Sequence, residues 1–249
     1  MQKDKPILEV CFSPALLHLF DLQNTIVVVI DIFRATTTIC VALANGAQKI
    51  HPFLEVTDCL NFKANHPHVI SAGERDGKII DGMDKGNSPS DYPTSFIQQK
   101  EIALTTTNGT KVLHMSSDAE QIIIGSFVNL QTVIDYLKSQ NKKVLLACAA
   151  WKDKVNMEDT LFAGAVVNAL QDDFEVLCDS AKMSQQLWKT THNGAQLYEI
   201  LKESSHYRRL SRFGAQNDLK ICTTLNSHPS LPIFTKASYL VDKKTENTI

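Results

Sequence analysis

Residues 26–46 read IVVVIDIFRATTTICVALANG, and their reading decides the fold. Ile26 to Ile30 is an unbroken β-branched run, the pattern of a strand covered on both faces. Asp31 follows at its end, and Arg34 comes three residues later. Thr36, Thr37 and Thr38 lead into Ile39–Ala44, after which Asn45-Gly46 stands as a stop signal. This order predicts a strand, a polar turn and a helix. A mostly parallel sheet binds ligands at the carboxyl ends of its strands, where the next helix turns its N–H groups outward. Asp31 and Arg34 occupy such a turn, so an acid able to hold a metal lies beside an arginine able to fork an oxyanion. Taken alone, the same spacing also suits a turn-capping aspartate paired with its own arginine.

Similar units recur on either side. Ile7–Phe12 predicts a first strand and Ala15–Phe20 a short helix. Gln48–Phe53 reads as a strand, and Glu55–Asn65 has helical spacing until His66-Pro67 ends it. Val69 and Ile70 form a short strand running into Gly73-Glu74-Arg75. Residues 76–93 make a long loop rich in Gly, Asp, Ser and Pro, a length usually functional or disordered. Strands then follow at Ile102–Leu104, Gln121–Ile124 and Val144–Ala147, with helices through Met115, over Leu130–Ser139 and over Met157–Leu170. In the last of these, Ala163, Gly164 and Ala165 suit close approach to a sheet. Beyond Val176 the pattern is helical at Ala181–Lys189, Ala195–Lys202 and Tyr207–Phe213. Two strands follow, Leu231–Phe234 and Ala237–Val241. The expectation is an α/β fold with a largely parallel or mixed central sheet built from strand-turn-helix units. No linker divides the chain, so residues 1–249 read as one domain, with 242–249 as a frayed tail.

With 249 residues, 43% of them hydrophobic, the chain can bury a full core. The formal charge of -2, with no long Lys/Arg run, argues against a nucleic-acid binder. Six scattered cysteines contain no C-x-x-C pair, which argues against a zinc site or a disulfide framework. No stretch approaches the roughly 18 apolar residues that span a bilayer. Glu9 and Pro14 interrupt the N-terminal apolar stretch, so no signal-peptide pattern appears and the cytoplasm is the simplest compartment. A homodimer is compatible with these numbers, and the oligomeric state stays open.

Four polar turns could carry chemistry. They are Asp31–Arg34, Gly73–Arg75, Gly86-Asn87-Ser88-Pro89 and Thr105–Thr110. In the last, Asn108-Gly109 permits a nest-like backbone that presents N–H groups to an anion. Each has a plainer reading: a surface ion pair for Glu74 and Arg75, a helix start for Asn87-Ser88-Pro89, a hairpin or helix start for the threonine-rich run. Glu158 and Asp159 suit a helix N-terminus on electrostatic grounds alone. Familiar phosphate machinery is absent. There is no G-x-x-x-x-G-K-[ST], no cysteine followed six residues later by arginine, and no second aspartate two residues after Asp31.

The set DIFRATTT (31–38), LANGA (43–47), GER (73–75), GNSP (86–89), TTTNGT (105–110), GSFVN (125–129) and EDTLFAG (158–164) resembles the 2-phosphosulfolactate phosphatase family. The motifs stand in family order across most of the chain. The resemblance implies a three-layer α/β/α fold and a cytoplasmic, magnesium-dependent enzyme of coenzyme M biosynthesis, acting on a small anionic phosphate ester that also carries carboxylate and sulfonate. One departure is Cys148-Ala149-Ala150, where Cys-Ala-Gly is expected.

On that reading Asp31, Glu74 and Asp159 hold Mg²⁺, with Glu158 in reserve, since a hard cation takes carboxylates and waters. Arg34 grips phosphoryl oxygens bidentately. Asn108, Gly109 and Thr110 offer N–H groups, Thr107 a hydroxyl, and Asn87 and Ser88 complete the substrate side. Arg75 takes the carboxylate or sulfonate. The nucleophile is a metal-activated water, or Asp31 itself. Neither Cys148 nor Cys222 is expected to serve, because no arginine loop follows either one. A phosphatase of another phosphorylated hydroxy acid, or a non-catalytic sensor of organic phosphates, would use the same turns.

Overall fold

Every residue of the strand Thr25–Ile30 is buried, as its β-branched run demands. Its side chains alternate between two cores. Ile26, Val28 and Ile30 face one, and Val27 and Val29 face the other. The computed structural model describes residues 5–246. In chain order the first elements are β1 (Leu8–Cys11), β2 (Thr25–Ile30), α1 (Ala35–Ala44), β3 (Lys49–Phe53), α2 (Val56–Asn65), β4 (Ile70–Arg75) and β5 (Lys78–Ile79). Next come α3 (Thr94–Ile97), β6 (Glu101–Thr105), α4 (Gly109–Met115), β7 (Gln121–Gly125), α5 (Leu130–Gln140), β8 (Lys143–Cys148) and α6 (Met157–Leu170). The C-terminal part holds α7 (Asp179–Lys189), α8 (Leu197–Leu201), α9 (Ser205–Ser211), α10 (Gln216–Cys222), β9 (Pro232–Phe234), β10 (Leu240–Asp242) and α11 (Lys243–Glu246).

One ten-stranded sheet runs through the molecule in the order β1-β8-β2-β7-β9-β10-β3-β6-β4-β5. Strands β1, β8, β2 and β7 form a parallel block, and β3, β6 and β4 form a second. The hairpin β9–β10 joins the blocks by antiparallel pairing on both sides. Helices cover both faces, giving the three-layer α/β architecture. Helices α5, α6 and α7 pack with Ile26, Val28 and Ile30, while α1 and α4 pack with Val27 and Val29. The three antiparallel pairings of the hairpin reverse the second block relative to the first.

Several expectations shift. Gly73-Glu74-Arg75 lies within β4 rather than beyond it, and a two-residue turn at Asp76-Gly77, both with positive φ, folds β5 back against it. Helix α1 starts at Ala35, so the three threonines are helical. Gly164 serves helix-on-helix packing rather than helix-on-sheet packing, because a Cβ there would lie 2.0 Å from Ser184 O of α7. Helices α3 and α10 were not legible from periodicity. Of the expected tail, Asp242 ends β10 and Lys243–Glu246 form one helical turn; residues 247–249 lie outside the described residues. No helix among the described residues is long and apolar enough to cross a membrane.

Candidate active site

Asp31 leaves β2 and is held by the helix it precedes. Its N–H donates to Thr36 Oγ1 at 3.0 Å, and Thr36 N donates back to Asp31 O at 3.0 Å. Thr37 Oγ1 donates to Ile32 O at 2.9 Å, and the same hydroxyl meets Ser126 Oγ at 2.6 Å. The threonines therefore brace the turn instead of projecting at a ligand. A Cβ on Gly109 would lie 2.7 Å from Ala35 Cβ and 3.1 Å from Asp31 Oδ2, so only glycine lets the start of α4 lie against this carboxylate. That contact brings the ends of β2 and β6 together.

Three further acids crowd Asp31. Glu74 accepts from Thr107 N at 2.9 Å and from Gly77 N at 2.8 Å. Asp159 Oδ1 accepts from Ile32 N at 2.9 Å and its Oδ2 from Ala150 N at 3.2 Å, tying α6 to the turns after β2 and β8. Glu158 is fully buried. Its Oε1 lies 2.6 Å from His206 Nδ1, and its Oε2 has no hydrogen-bond partner. Burial, opposed by His206 and reinforced by the charges of Glu74 and Glu158, pushes the Asp31 carboxyl up to about 7. Burial and then the charges of Glu158 and Asp31 hold Asp159 well above the usual carboxylate range.

Arg34 does not pair with Asp31. Its Nη1 donates to Asp218 Oδ2 on α10 at 2.7 Å and its Nη2 to Gly77 O at 3.3 Å. Asp218 Oδ1 in turn accepts from Ser88 Oγ and Ser90 Oγ, both at 2.7 Å. Both members of the ion pair are buried. The peptide between Phe33 and Arg34 is cis.

A narrow cleft opens at this point, lined by Asp31, Arg34, Glu74, Asn87 and Asn108 among the expected residues. Asn87 Oδ1 and Thr107 Oγ1 are buried without a hydrogen-bond partner. Other expected residues turn elsewhere. Asp159 stays behind the cleft wall. Thr110 closes its own turn, its Oγ1 donating to Thr106 O at 2.8 Å and its N–H donating to Thr106 Oγ1 at 3.2 Å. Ser88 faces Asp218. Arg75 spends its donors on Glu74 O, Leu54 O and Thr105 Oγ1, at 2.8, 3.2 and 3.0 Å, and does not line the cleft.

The cleft also contains residues that the sequence reading missed. Phe33, Gly77, Trp151, His206 and Leu210 complete its lining. His206 packs edge-on to Phe33 with ring centroids 5.9 Å apart and lies 5.3 Å from Trp151. Its helix, α9, carries no turn motif, and only its place in three dimensions marks it. Neither Cys148 nor Cys222 lines the cleft. Burial, ahead of the neighbouring acids, pushes Cys148 well up. Burial likewise raises Cys222 to about 12, opposed by a hydrogen bond with Thr37. Among the described residues no three of His, Cys, Asp and Glu converge as a ready-made metal cage.

Residues 11–237 match the family model described as 2-phosphosulpholactate phosphatase. A "Probable 2-phosphosulfolactate phosphatase" of Caldanaerobacter subterraneus subsp. tengcongensis is 38% identical over 216 residues, covering 85% of this chain and 88% of the relative. One of Thermotoga petrophila is 38% identical over 214 residues, covering 86% and 91%. A third, of Clostridium perfringens strain SM101, is 33% identical over 210 residues, covering 82% and 84%. The chain belongs to the 2-phosphosulfolactate phosphatase family.

Proposed function

We propose that this protein is a cytoplasmic, magnesium-dependent phosphatase that hydrolyses 2-phosphosulfolactate to sulfolactate and phosphate. The observation that carries the reading is the set of buried carboxylates in and behind one cleft with Arg34. Asp31 and Glu74 line the cleft, and Glu158 stands behind them with an unpartnered oxygen. Burial first, and the charges of Glu74 and Glu158 after it, raise the Asp31 carboxyl, and a bound cation would favour its ionised form. The donors are all oxygens, which suits Mg²⁺ better than zinc. Asp31 and Glu74 would hold the ion. Asp159 remains the proposed third ligand, with its oxygens also accepting from the N–H groups of Ile32 and Ala150. When bound, the ion supplies charge neutralisation at the phosphoryl oxygens and a more acidic water.

The chain's own groups do the rest. Arg34 is fixed at two of its five N–H donors, and the remaining ones serve phosphoryl oxygens in a mostly dry cleft. Asn87 and Asn108 offer amides at the cleft wall. His206, its Nδ1 side held by Glu158, is placed to hand a proton to the departing alkoxide. Phe33, Trp151 and Leu210 exclude water around it.

The test is phosphate release from 2-phosphosulfolactate with Mg²⁺, with chelator, and with Mg²⁺ restored. Release that needs Mg²⁺ supports the reading. Full release in excess chelator would remove the metal assignment. Ligand-dependent melting without any release would favour a sensor.

A further inference from the structure

A phosphate ester with an acidic group at its far end needs a second cation, and Arg75 is committed to its own backbone neighbourhood. We infer that Arg209, stacked on Trp151 at the cleft, is the specificity-determining residue that receives the substrate's second oxyanion, a carboxylate or sulfonate. This inference rests on the phosphatase reading above.

The placement comes from α9. His206 and Leu210, four residues apart, line the cleft, and Arg209, next to Leu210 on the same helix, lies outside the lining and meets it through Trp151. The Arg209 guanidinium carbon sits 3.8 Å from the centroid of the Trp151 ring, and Trp151 itself lines the cleft. Stacking engages the face of a guanidinium and leaves its in-plane N–H edge available for a forked contact. Nη2 is buried and makes no hydrogen bond within the protein. A buried donor of this kind costs free energy unless something receives it. Glu158 and Asp76 interact with the charge at a distance, and burial outweighs them, drawing the group below its ordinary range.

The neighbouring cations are otherwise engaged. Arg34 is held by Asp218, Lys152 pairs with Asp76 at 3.0 Å, Lys111 with Asp153 at 2.9 Å, and Arg208 with Glu203. With phosphoryl oxygens on Arg34, the acidic end of a short hydroxy acid would take Arg209, against Trp151, as its fork. Carboxylate and sulfonate present similar oxygen pairs, so the shared chemistry is an oxyanion beside the ester.

The experiment compares three substrates in wild type, Arg209→Met and Arg209→Lys. They are 2-phosphosulfolactate, 2-phospholactate, which lacks the sulfonate, and phenyl phosphate, which lacks both acids. Arg209→Met should lower kcat/KM for 2-phosphosulfolactate roughly 10- to 100-fold more than for phenyl phosphate, mostly through KM. Arg209→Lys should fall between, keeping the charge and losing the fork. A matching loss on 2-phospholactate assigns the carboxylate, and a much smaller one assigns the sulfonate. Equal losses on all three substrates, or none, would overturn the inference. Calorimetric binding of sulfolactate to wild type and Arg209→Met gives an independent readout. If wild type binds sulfolactate more tightly than the variant yet releases no phosphate, the phosphatase reading fails and this one stands. Should Arg209→Met fail to fold, Arg209→Lys carries the same comparison.

Discussion

Ala150 has φ +58° and donates its N–H to Asp159 Oδ2, at the position where the family pattern led us to expect glycine. A Cβ in the left-handed region costs about 1–2 kcal/mol, and glycine's extra unfolded-state entropy takes back part of the gain. Ala150→Gly should therefore stabilise the protein by about 0.5–1 kcal/mol in urea unfolding, and a loss of stability would show that the methyl packs usefully. Arg34 gives a sharper test. If it only neutralised Asp218, lysine would replace it at little kinetic cost. As a fork on the phosphoryl group it cannot be replaced so, and Arg34→Lys should lower kcat/KM roughly 30- to 1000-fold. The check is that ratio alongside a thermal melt, since a variant that is simply unfolded proves nothing about phosphate.

At the scale of elements, the strand–turn–helix around Asp31 could be read directly because β-branched runs, threonines and Asn-Gly act through neighbours in sequence. Glu74, Asn87 and Asn108 were legible for a similar reason, since each sits in a short polar motif. Arg75 and Thr110 belonged to the same motifs and still turned elsewhere, because motif membership does not say which way a side chain points. His206, Trp151, Asp218 and Arg209 were invisible. Their roles depend on contacts that span long sequence separations, such as His206 to Glu158 and Arg34 to Asp218. Helix α6 shows how one position controls such contacts. Gly164 admits the α7 backbone so closely that an added methyl would strike Ser184 O, a rigid atom. Gly164→Ala should thus cost about 1–3 kcal/mol by overpacking, despite alanine's better helix propensity. An unchanged urea midpoint would mean that the two helices slide apart freely.

For the whole molecule, the site is a place where stability is given up. Strand ends from two sheet blocks and the start of helix α6 bring Asp31, Glu74, Glu158 and Asp159 together, and the fold must bury that charge. The direction with pH follows from Asp31. Its ordinary value is 3.8 and its folded value about 7, so between these the native state holds a proton that the unfolded chain has lost. Stability then falls as pH rises through that window, and Asp159 adds to the slope in the same direction. In metal-free buffer, urea unfolding should show wild type losing stability from about pH 5 to about pH 8, while Asp31→Asn loses less, so that their difference grows with pH. Mg²⁺ added at the upper end should raise the wild-type midpoint, because a ligand of the native state alone stabilises it by mass action. The same addition should do far less for Asp31→Asn, whose amide keeps the shape and removes the charge. Parallel curves for the two proteins across this range would mean that Asp31 is ionised at no cost in the native state. The cation would then have no repulsion to relieve at that carboxylate.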